Sequence, residues 1–140
     1  MADASKSASA TVTVAAASTT FTEIEPNNSA ATANVVGDSV TRVVGYFPST
    51  SDNDDCFAVT LLAGHTLTVD MTGPTASSQD YDLYLYSSAG TQLAASTNAG
   101  TTEHVSYKNT NVAAAKTITI KVHRYSSYSS VTPYTLVLSR

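Results

Sequence analysis

The chain has 140 residues, of which 42% are hydrophobic and 13% are charged, and this balance predicts a single domain with one core. Seven basic and eleven acidic residues give a net charge of −4, which argues against nucleic acids and anionic membranes as partners because both select a basic surface. The apolar runs are far shorter than the roughly 20 residues of a membrane-spanning helix. Residues 1–6 lack the basic and apolar regions of a signal peptide, so we expect any export signal to lie outside this chain.

The first part of the chain has the composition of a linker. Residues 1–20 are mostly Ala, Ser and Thr, which bury too little apolar surface to offset the entropy lost on folding. We therefore predict a linker or flexible tail over 1–20 and a folded domain over 21–140. Within the tail, the alternating segment Thr11–Val14 would add an edge strand if a partner strand were available. Only Ser29–Asn34 and Ala113–Ala115 permit a helical turn, and both are short.

From residue 40 onward the pattern is typical of β-strands, because large apolar residues recur at every second position in short runs between turn residues. In chain order, the predicted strands contain Val43–Phe47, Phe57–Leu61, Leu67–Met71, Leu83–Leu85, a weaker run from Thr91, Val105–Tyr107, Ile118–Val122 and Leu136–Leu138. Each run has one apolar face, so a second layer must cover it. The predicted fold class is all-β, an antiparallel β-sandwich with a jelly-roll-like arrangement.

Six of the eleven acidic residues lie between positions 23 and 55. An extended backbone would direct Glu23 and Glu25 to one side, and the following proline then turns the chain so that Asn27 and Asn28 can join them. A second acidic run, Asp52–Asp55, precedes the next strand. If folding brings the two runs together, their oxygens suit Ca²⁺ before Mg²⁺, and the lack of His and Cys argues against zinc. The alternative is a pair of solvated acidic loops.

Tyrosines gather in the second half of the chain, where seven of the eight lie after residue 80. Exposed tyrosines offer a large, stiff contact area with a polar tip, which suits a protein ligand or the proline-rich surface of a collagen-like helix. The candidate ligand-binding residues, on outward strand positions or in the adjoining Ser-rich loop, are Tyr84, Tyr86, His123, Tyr125 and Tyr128. Two alternatives remain: the rings only stabilise the sheet, or they form a carbohydrate platform, which the absence of Trp disfavours.

The sequence gives little support for catalysis. The three histidines stand outside any motif of a serine, cysteine or metal-dependent hydrolase. Asp80 and Asp82 are two positions apart, but acid–base chemistry also needs a cleft and shifted pKa values, which a sequence does not show. Cys56 is the only cysteine, so no internal disulfide can form, and its apolar strand context predicts a buried, unreactive thiol. We therefore expect a protein that is not an enzyme.

Several motifs occur in an order that resembles a known family. They are the Glu-x-Glu-Pro-Asn-Asn segment at 23–28, Gly45, Asp52-x-x-Asp55-x-Phe57, Gly64-x-x-Leu67-x-Val69, Asp80–Tyr86, Gly90, Ile120-x-Val122-x-x-Tyr125 and Tyr134-x-Leu136. Over residues 21–140 this order is similar to the bacterial pre-peptidase C-terminal domain, a small β-sandwich at the C-terminus of many secreted peptidases. The collagen-binding domains of clostridial collagenases are relatives of this kind.

The resemblance implies a calcium site and a binding surface. In calcium-binding relatives the ligands occupy positions that match Glu23, Glu25, Asn27, Asp52 and Asp55, and Asn28 stands where Asp is common. Relatives that bind collagen use tyrosines on the strand that corresponds to residues 118–122 and its continuation. Tyr125 matches one of those tyrosines, and His123 replaces another.

The function that we expect is that of a non-catalytic C-terminal accessory module of a secreted bacterial peptidase. Calcium would stabilise the module, which would bind an extracellular protein or polysaccharide polymer such as collagen, or aid secretion. The alternatives are an intramolecular chaperone or inhibitor of the parent catalytic domain, and a carbohydrate-binding module. We expect a monomer with no nucleic-acid or membrane partner.

Overall fold

The computed structural model describes residues 18–140, which contain ten strands. In chain order these are β1 (Thr19–Thr22), β2 (Asn34–Val35), β3 (Val40–Gly45), β4 (Asp54–Leu61), β5 (Thr66–Thr72), β6 (Tyr81–Ser87), β7 (Gln92–Ser96), β8 (Glu103–Lys108), β9 (Lys116–Arg124) and β10 (Tyr134–Ser139). Within this part of the chain there is no helix long and apolar enough to cross a membrane.

The strands of residues 18–140 form two five-stranded sheets, in the orders β1-β3-β10-β5-β8 and β2-β4-β9-β6-β7. Neighbouring strands run antiparallel except at one edge of each sheet, where β1 pairs with β3 and β2 pairs with β4 in parallel. The prediction of an all-β sandwich is therefore confirmed, and the sheets are mixed rather than wholly antiparallel. The strands from β3 onward correspond to the alternating runs of the sequence.

The N-terminal segment contributes two short strands that the sequence pattern did not predict. β1 begins at Thr19, inside the predicted linker, and residues 1–17, with the candidate strand Thr11–Val14, lie outside the described residues. The predicted helical turn after Asn28 is a hydrogen-bonded turn, in which Thr32 N donates to Ser29 O over 3.0 Å. Residues 23–33 therefore form a loop that connects the edge strands of the two sheets.

The core lies between the sheets and consists of the residues at alternating positions. In β5 the side chains of Leu67, Val69 and Met71 are fully buried and those of the intervening residues are not. Burying a side chain of this size contributes about 1.5–3 kcal/mol. At one end of the core the Phe47 ring lies 5.0 Å from Tyr81 and 5.6 Å from Tyr134, measured between ring centroids. This aromatic group borders the acidic residues of the candidate site.

Candidate metal centre

The fold brings the two acidic segments together where the sheets meet. Glu23 and Glu25 follow β1 of one sheet, and Asp55 is the second residue of β4 in the other sheet. A carboxylate oxygen of each of these three residues lies within 4.8 Å of the other two. The convergence of the two acidic segments, which the calcium hypothesis requires, is thus present.

Asn27 lies inside this group and is fully buried. Its main chain fixes the loop, because Cys56 N donates to Asn27 O over 2.9 Å and Asn27 N donates to Glu25 Oε2 over 3.1 Å. One terminal atom of its amide lies 3.2 Å from Glu25 Oε1 and 3.3 Å from Asp55 Oδ1. If the amide nitrogen occupies this place, it donates hydrogen bonds to both carboxylates. If the amide oxygen occupies it, the place is surrounded by acceptor oxygens alone, which only a bound cation can hold together.

Tyr134 was missed as a site residue by the sequence analysis. Its buried hydroxyl oxygen lies 2.5 Å from Asp55 Oδ2 and 3.1 Å from Glu23 Oε2, so it bridges the two acidic segments. Glu23 Oε1 also accepts a hydrogen bond from Tyr46 N. A Cβ atom on Gly45 would lie 2.2 Å from the Tyr134 hydroxyl oxygen and 2.7 Å from Glu23 Oε2. Gly45 is therefore required for this close approach, and it is one of the motif residues that the sequence analysis singled out.

The surroundings of Glu23 and Asp55 oppose ionisation of their carboxyls. Burial, followed by the nearby Glu23 carboxyl, raises the pKa of Asp55 to about 10. Burial raises the pKa of Glu23 to about 7, and the Glu25 carboxyl adds to this shift. The ion pairs found within residues 18–140 give no basic partner to Glu23, Glu25 or Asp55. The group is thus rich in oxygen ligands and lacks a compensating positive charge in the described part of the chain.

The other two predicted metal ligands, Asp52 and Asn28, lie beside this group and contact each other. Asn28 Nδ2 donates to Asp52 Oδ1 over 3.0 Å, so the exposed Asn28 side chain holds Asp52 instead of joining the three carboxylates. Asp52 is buried, and among residues 18–140 its Oδ2 has no hydrogen-bond partner. Burial, followed by repulsion from Glu25, raises the pKa of Asp52 to about 6. The structure therefore places Asp52 at the border of the group.

Cys56 follows Asp55 in β4 and is buried, as predicted. Burial, followed by the charge of Asp54, raises the pKa of the thiol to about 11. The thiol is therefore protonated at neutral pH, which disfavours nucleophilic chemistry.

The predicted ligand-binding residues of β6 and β9 form one patch on the outer face of their sheet. The rings of Tyr84 and Tyr86 are stacked, with centroids 6.2 Å apart, and Lys121 Nζ lies 5.2 and 5.7 Å from them. Asp54 Oδ1 lies 3.3 Å from Lys121 Nζ and 2.8 Å from His123 Nδ1. Through these contacts Tyr84 and Tyr86 form part of the surface of the sheet.

Tyr125 and Tyr128 have different surroundings. Tyr125 is 70% exposed, and its N–H donates to Asp80 O over 2.9 Å at the edge of the patch. Tyr128 is half-buried against the core, with the Arg124 guanidinium carbon 4.6 Å from its ring centroid. Arg124 also donates from Nη2 to Thr50 O over 2.8 Å. Tyr125 is thus the most accessible aromatic side chain of the predicted set, and Tyr128 helps to fix the loop that carries Asp52.

Fold and site together define a small β-sandwich domain with an oxygen-rich centre where its sheets meet. A family model for the bacterial pre-peptidase C-terminal domain matches residues 53–124, slightly more than half of the chain. The chain belongs to this family, which comprises accessory domains of secreted bacterial peptidases. The matched region contains Asp55, Tyr84, Tyr86 and His123, whereas Glu23 and Glu25 precede it.

Comparison with solved structures gives 16 matching chains. One is the pre-peptidase C-terminal domain of a collagenase from Bacillus anthracis, which shares 13% sequence identity with this chain at a TM-score of 0.55. The similarity covers 76% of this chain and 94% of that domain. At this level of identity the likeness shows a shared fold. A comparison with curated proteins gave no match.

Proposed function

We propose that this chain is a calcium-stabilised, non-catalytic accessory module of a secreted bacterial peptidase, and that it holds the parent enzyme on an extracellular protein polymer such as collagen. The observation that carries the calcium part of the proposal is the convergence of carboxylate oxygens from Glu23, Glu25 and Asp55 within 4.8 Å of one another. Membership in the pre-peptidase C-terminal family supports the accessory role.

The chemistry of the donor set fits calcium. All of the candidate ligands are oxygens, and Ca²⁺ accepts about six to eight of them in flexible geometry. Glu23, Glu25 and Asp55 would hold the ion, and the Asn27 amide oxygen would join them in the orientation described above. The ion would fasten the loop after β1 to β4, so its binding free energy would add to the stability of the whole sandwich.

The proposed binding surface is the outer face of β6 and β9 with its continuation at Tyr125. Aromatic side chains dominate the energetics of protein interfaces because they bury much area at little conformational cost. Tyr125 is 70% exposed and is free to contact a partner. Tyr84, Tyr86 and Lys121 extend this surface along the sheet.

Sedimentation with insoluble collagen, chitin and cellulose tests the proposal. We expect retention on collagen in CaCl₂, weaker retention in EDTA, and a loss of about tenfold in affinity for Tyr125→Ala, as for a central aromatic contact. Tyr107→Ala is the matched control, because Tyr107 lies on β8 of the other sheet. No retention on any of the polymers would contradict the proposal and favour a chaperone or inhibitor role toward the parent catalytic domain. Retention on cellulose or chitin alone would favour a carbohydrate-binding module.

A further inference from the structure

Two adjoining depressions lie beside the start of β6. One has a volume of about 320 Å³ and is lined by Asp80, Asp82, Thr97, Ala99 and Tyr125. The other has a volume of about 370 Å³ and is lined by residues of the loops 74–79 and 99–102. Ala99 contributes to both, so the two depressions adjoin, and together they are called the groove below.

The first depression carries two carboxylates without a basic partner. Asp80 Oδ1 accepts a hydrogen bond from Gly100 N over 3.0 Å, and Asp82 Oδ2 accepts one from the Tyr84 hydroxyl over 2.9 Å. Among the described residues, neither aspartate takes part in an ion pair, whereas Asp54 on the same face has two basic neighbours. One oxygen of each carboxylate is thus left to accept hydrogen bonds from a ligand.

The second depression is bordered by a buried acceptor that has no hydrogen-bond donor in the described residues. Gln79 lines it and is only 8% exposed, yet within residues 18–140 its Oε1 atom has no hydrogen-bond partner. Buried side-chain carbonyls are nearly always paired in folded proteins. Gln79 Oε1 thus adds a buried, unpaired acceptor beside the second depression to the free carboxylate oxygens of the first.

We propose that this groove binds an extended peptide segment of a protein partner through a basic side chain, with arginine preferred to lysine. The guanidinium would lie against the exposed Tyr125 ring and donate to Asp80 and Asp82, because a planar cation with five donors suits both an aromatic face and carboxylates. A main-chain N–H of the same segment would donate to Gln79 Oε1. This inference rests on the proposed function in one respect, since it names the chemistry by which a protein polymer is recognised.

The unpaired groups favour a cation over a sugar. Carbohydrate hydroxyls both donate and accept hydrogen bonds, whereas the carboxylates of Asp80 and Asp82 only accept them. A guanidinium only donates, so it can pair with the free oxygens of Asp80 and Asp82 without leaving an acceptor of its own unpaired. Two negative charges without a basic partner also complement a positive ligand.

Titration of the ¹⁵N-labelled 140-residue chain with acetyl-Gly-Pro-Arg-Gly-amide tests this inference. We expect saturable shifts at the amides of Gly100 and Tyr125, which donate to Asp80. The citrulline version of the peptide, which has the same shape and no charge, should bind at least about tenfold more weakly. The lysine version should be intermediate. Raising NaCl from about 50 to about 500 mM should weaken binding of the arginine peptide several-fold.

Variants locate the site on the chain. Asp80→Asn keeps the oxygen that accepts from Gly100 and removes the charge, and Tyr125→Leu changes an exposed ring, so both should fold and both should weaken the arginine peptide about fivefold or more. Asp70→Asn, on the other sheet, should not change binding. Equal binding of the arginine and citrulline peptides, or shifts of the same amides by chitotriose that Asp80→Asn leaves unchanged, would overturn the inference.

The outcome is separable from that of the proposed function. Collagen retention that Asp80→Asn leaves intact would overturn this inference while the accessory-module proposal stands. Charge-selective peptide binding by a chain that no polymer retains would support the inference and contradict the polymer-binding proposal.

Discussion

Replacing Asp55 by Asn is expected to stabilise the metal-free protein and to remove the stabilisation that calcium gives the wild type. Asp55 is fully buried, and burial with the nearby Glu23 carboxyl raises its pKa to about 10. In the metal-free protein at pH 7, folding must therefore place a proton on a carboxyl whose pKa is 3.8 in the absence of these effects. Each pH unit between 3.8 and 7 costs about 1.4 kcal/mol, so the cost approaches about 4 kcal/mol.

Asparagine carries no such cost, so metal-free Asp55→Asn should be more stable than the wild type at pH 7 by up to about 4 kcal/mol. The sign follows from linkage: a raised carboxyl pKa favours the folded state at low pH, and this advantage is lost as pH rises toward the folded pKa. The gain from Asp55→Asn should accordingly shrink toward zero near pH 4. In calcium the variant lacks a charged ligand, so it should miss the stabilisation of about 2.7 kcal/mol that the wild type gains at 100 times Kd.

Urea unfolding at pH 4 and pH 7, in EDTA and in CaCl₂, measures these differences. Asp70→Asn is the control, because the Asp70 side chain is 58% exposed and lies outside the metal centre. Its effect should stay within about 0.5 kcal/mol in both solutions. A lower stability of Asp55→Asn than of the wild type in EDTA at pH 7, or a response to calcium equal to that of the wild type, would contradict this prediction.

Three further predictions follow from the same contacts. In EDTA the melting temperature should fall as pH rises from about 4 to about 7. The pKa values of Glu23 and Asp52 are raised to about 7 and about 6, so the folded protein loses these protons over this range. A melting temperature that stays constant or rises would contradict the raised pKa values. Gly45→Ala should destabilise the fold by about 1–3 kcal/mol and weaken calcium binding, because the new Cβ would clash with Tyr134 in a packed site. Gly37→Ala should have neither effect, because no atom lies within 4 Å of the place of its Cβ. Phe57→Ala should cost about 3–5 kcal/mol in urea unfolding because it empties a fully buried position in the core; a loss below about 1 kcal/mol would argue against the described packing.

The strands that could be predicted from the sequence are those whose burial alternates. In β5, Leu67, Val69 and Met71 are buried and the residues between them are not, because one face of the strand must lie on the core. β2 consists of Asn34–Val35 alone, and Val35 is 80% exposed. Such a strand is held by main-chain pairing with β4 and has no apolar pattern of its own, so no periodicity could reveal it.

The metal centre could be predicted only in part. The spacing of Glu23 and Glu25 and the position of Asp55 indicated which carboxylates would meet, and the structure places them together. Tyr134 could not be predicted as their bridge, because in the sequence it is one more large residue in an alternating strand. Its role depends on the absence of a Cβ atom at Gly45, 89 positions earlier in the chain, and hence on the pairing of β10 with β3.

Calorimetric titration of the metal-free protein with CaCl₂ measures calcium binding by Glu23, Glu25 and Asp55 without relying on unfolding. We expect a saturable heat and an affinity that Glu25→Gln lowers at least about tenfold, because this change at an exposed position removes one charged ligand of a hard cation. Asp70→Asn should titrate like the wild type. The absence of any saturable heat at millimolar calcium, or an isotherm that Glu25→Gln leaves unchanged, would contradict the claim that Glu23, Glu25 and Asp55 together bind calcium.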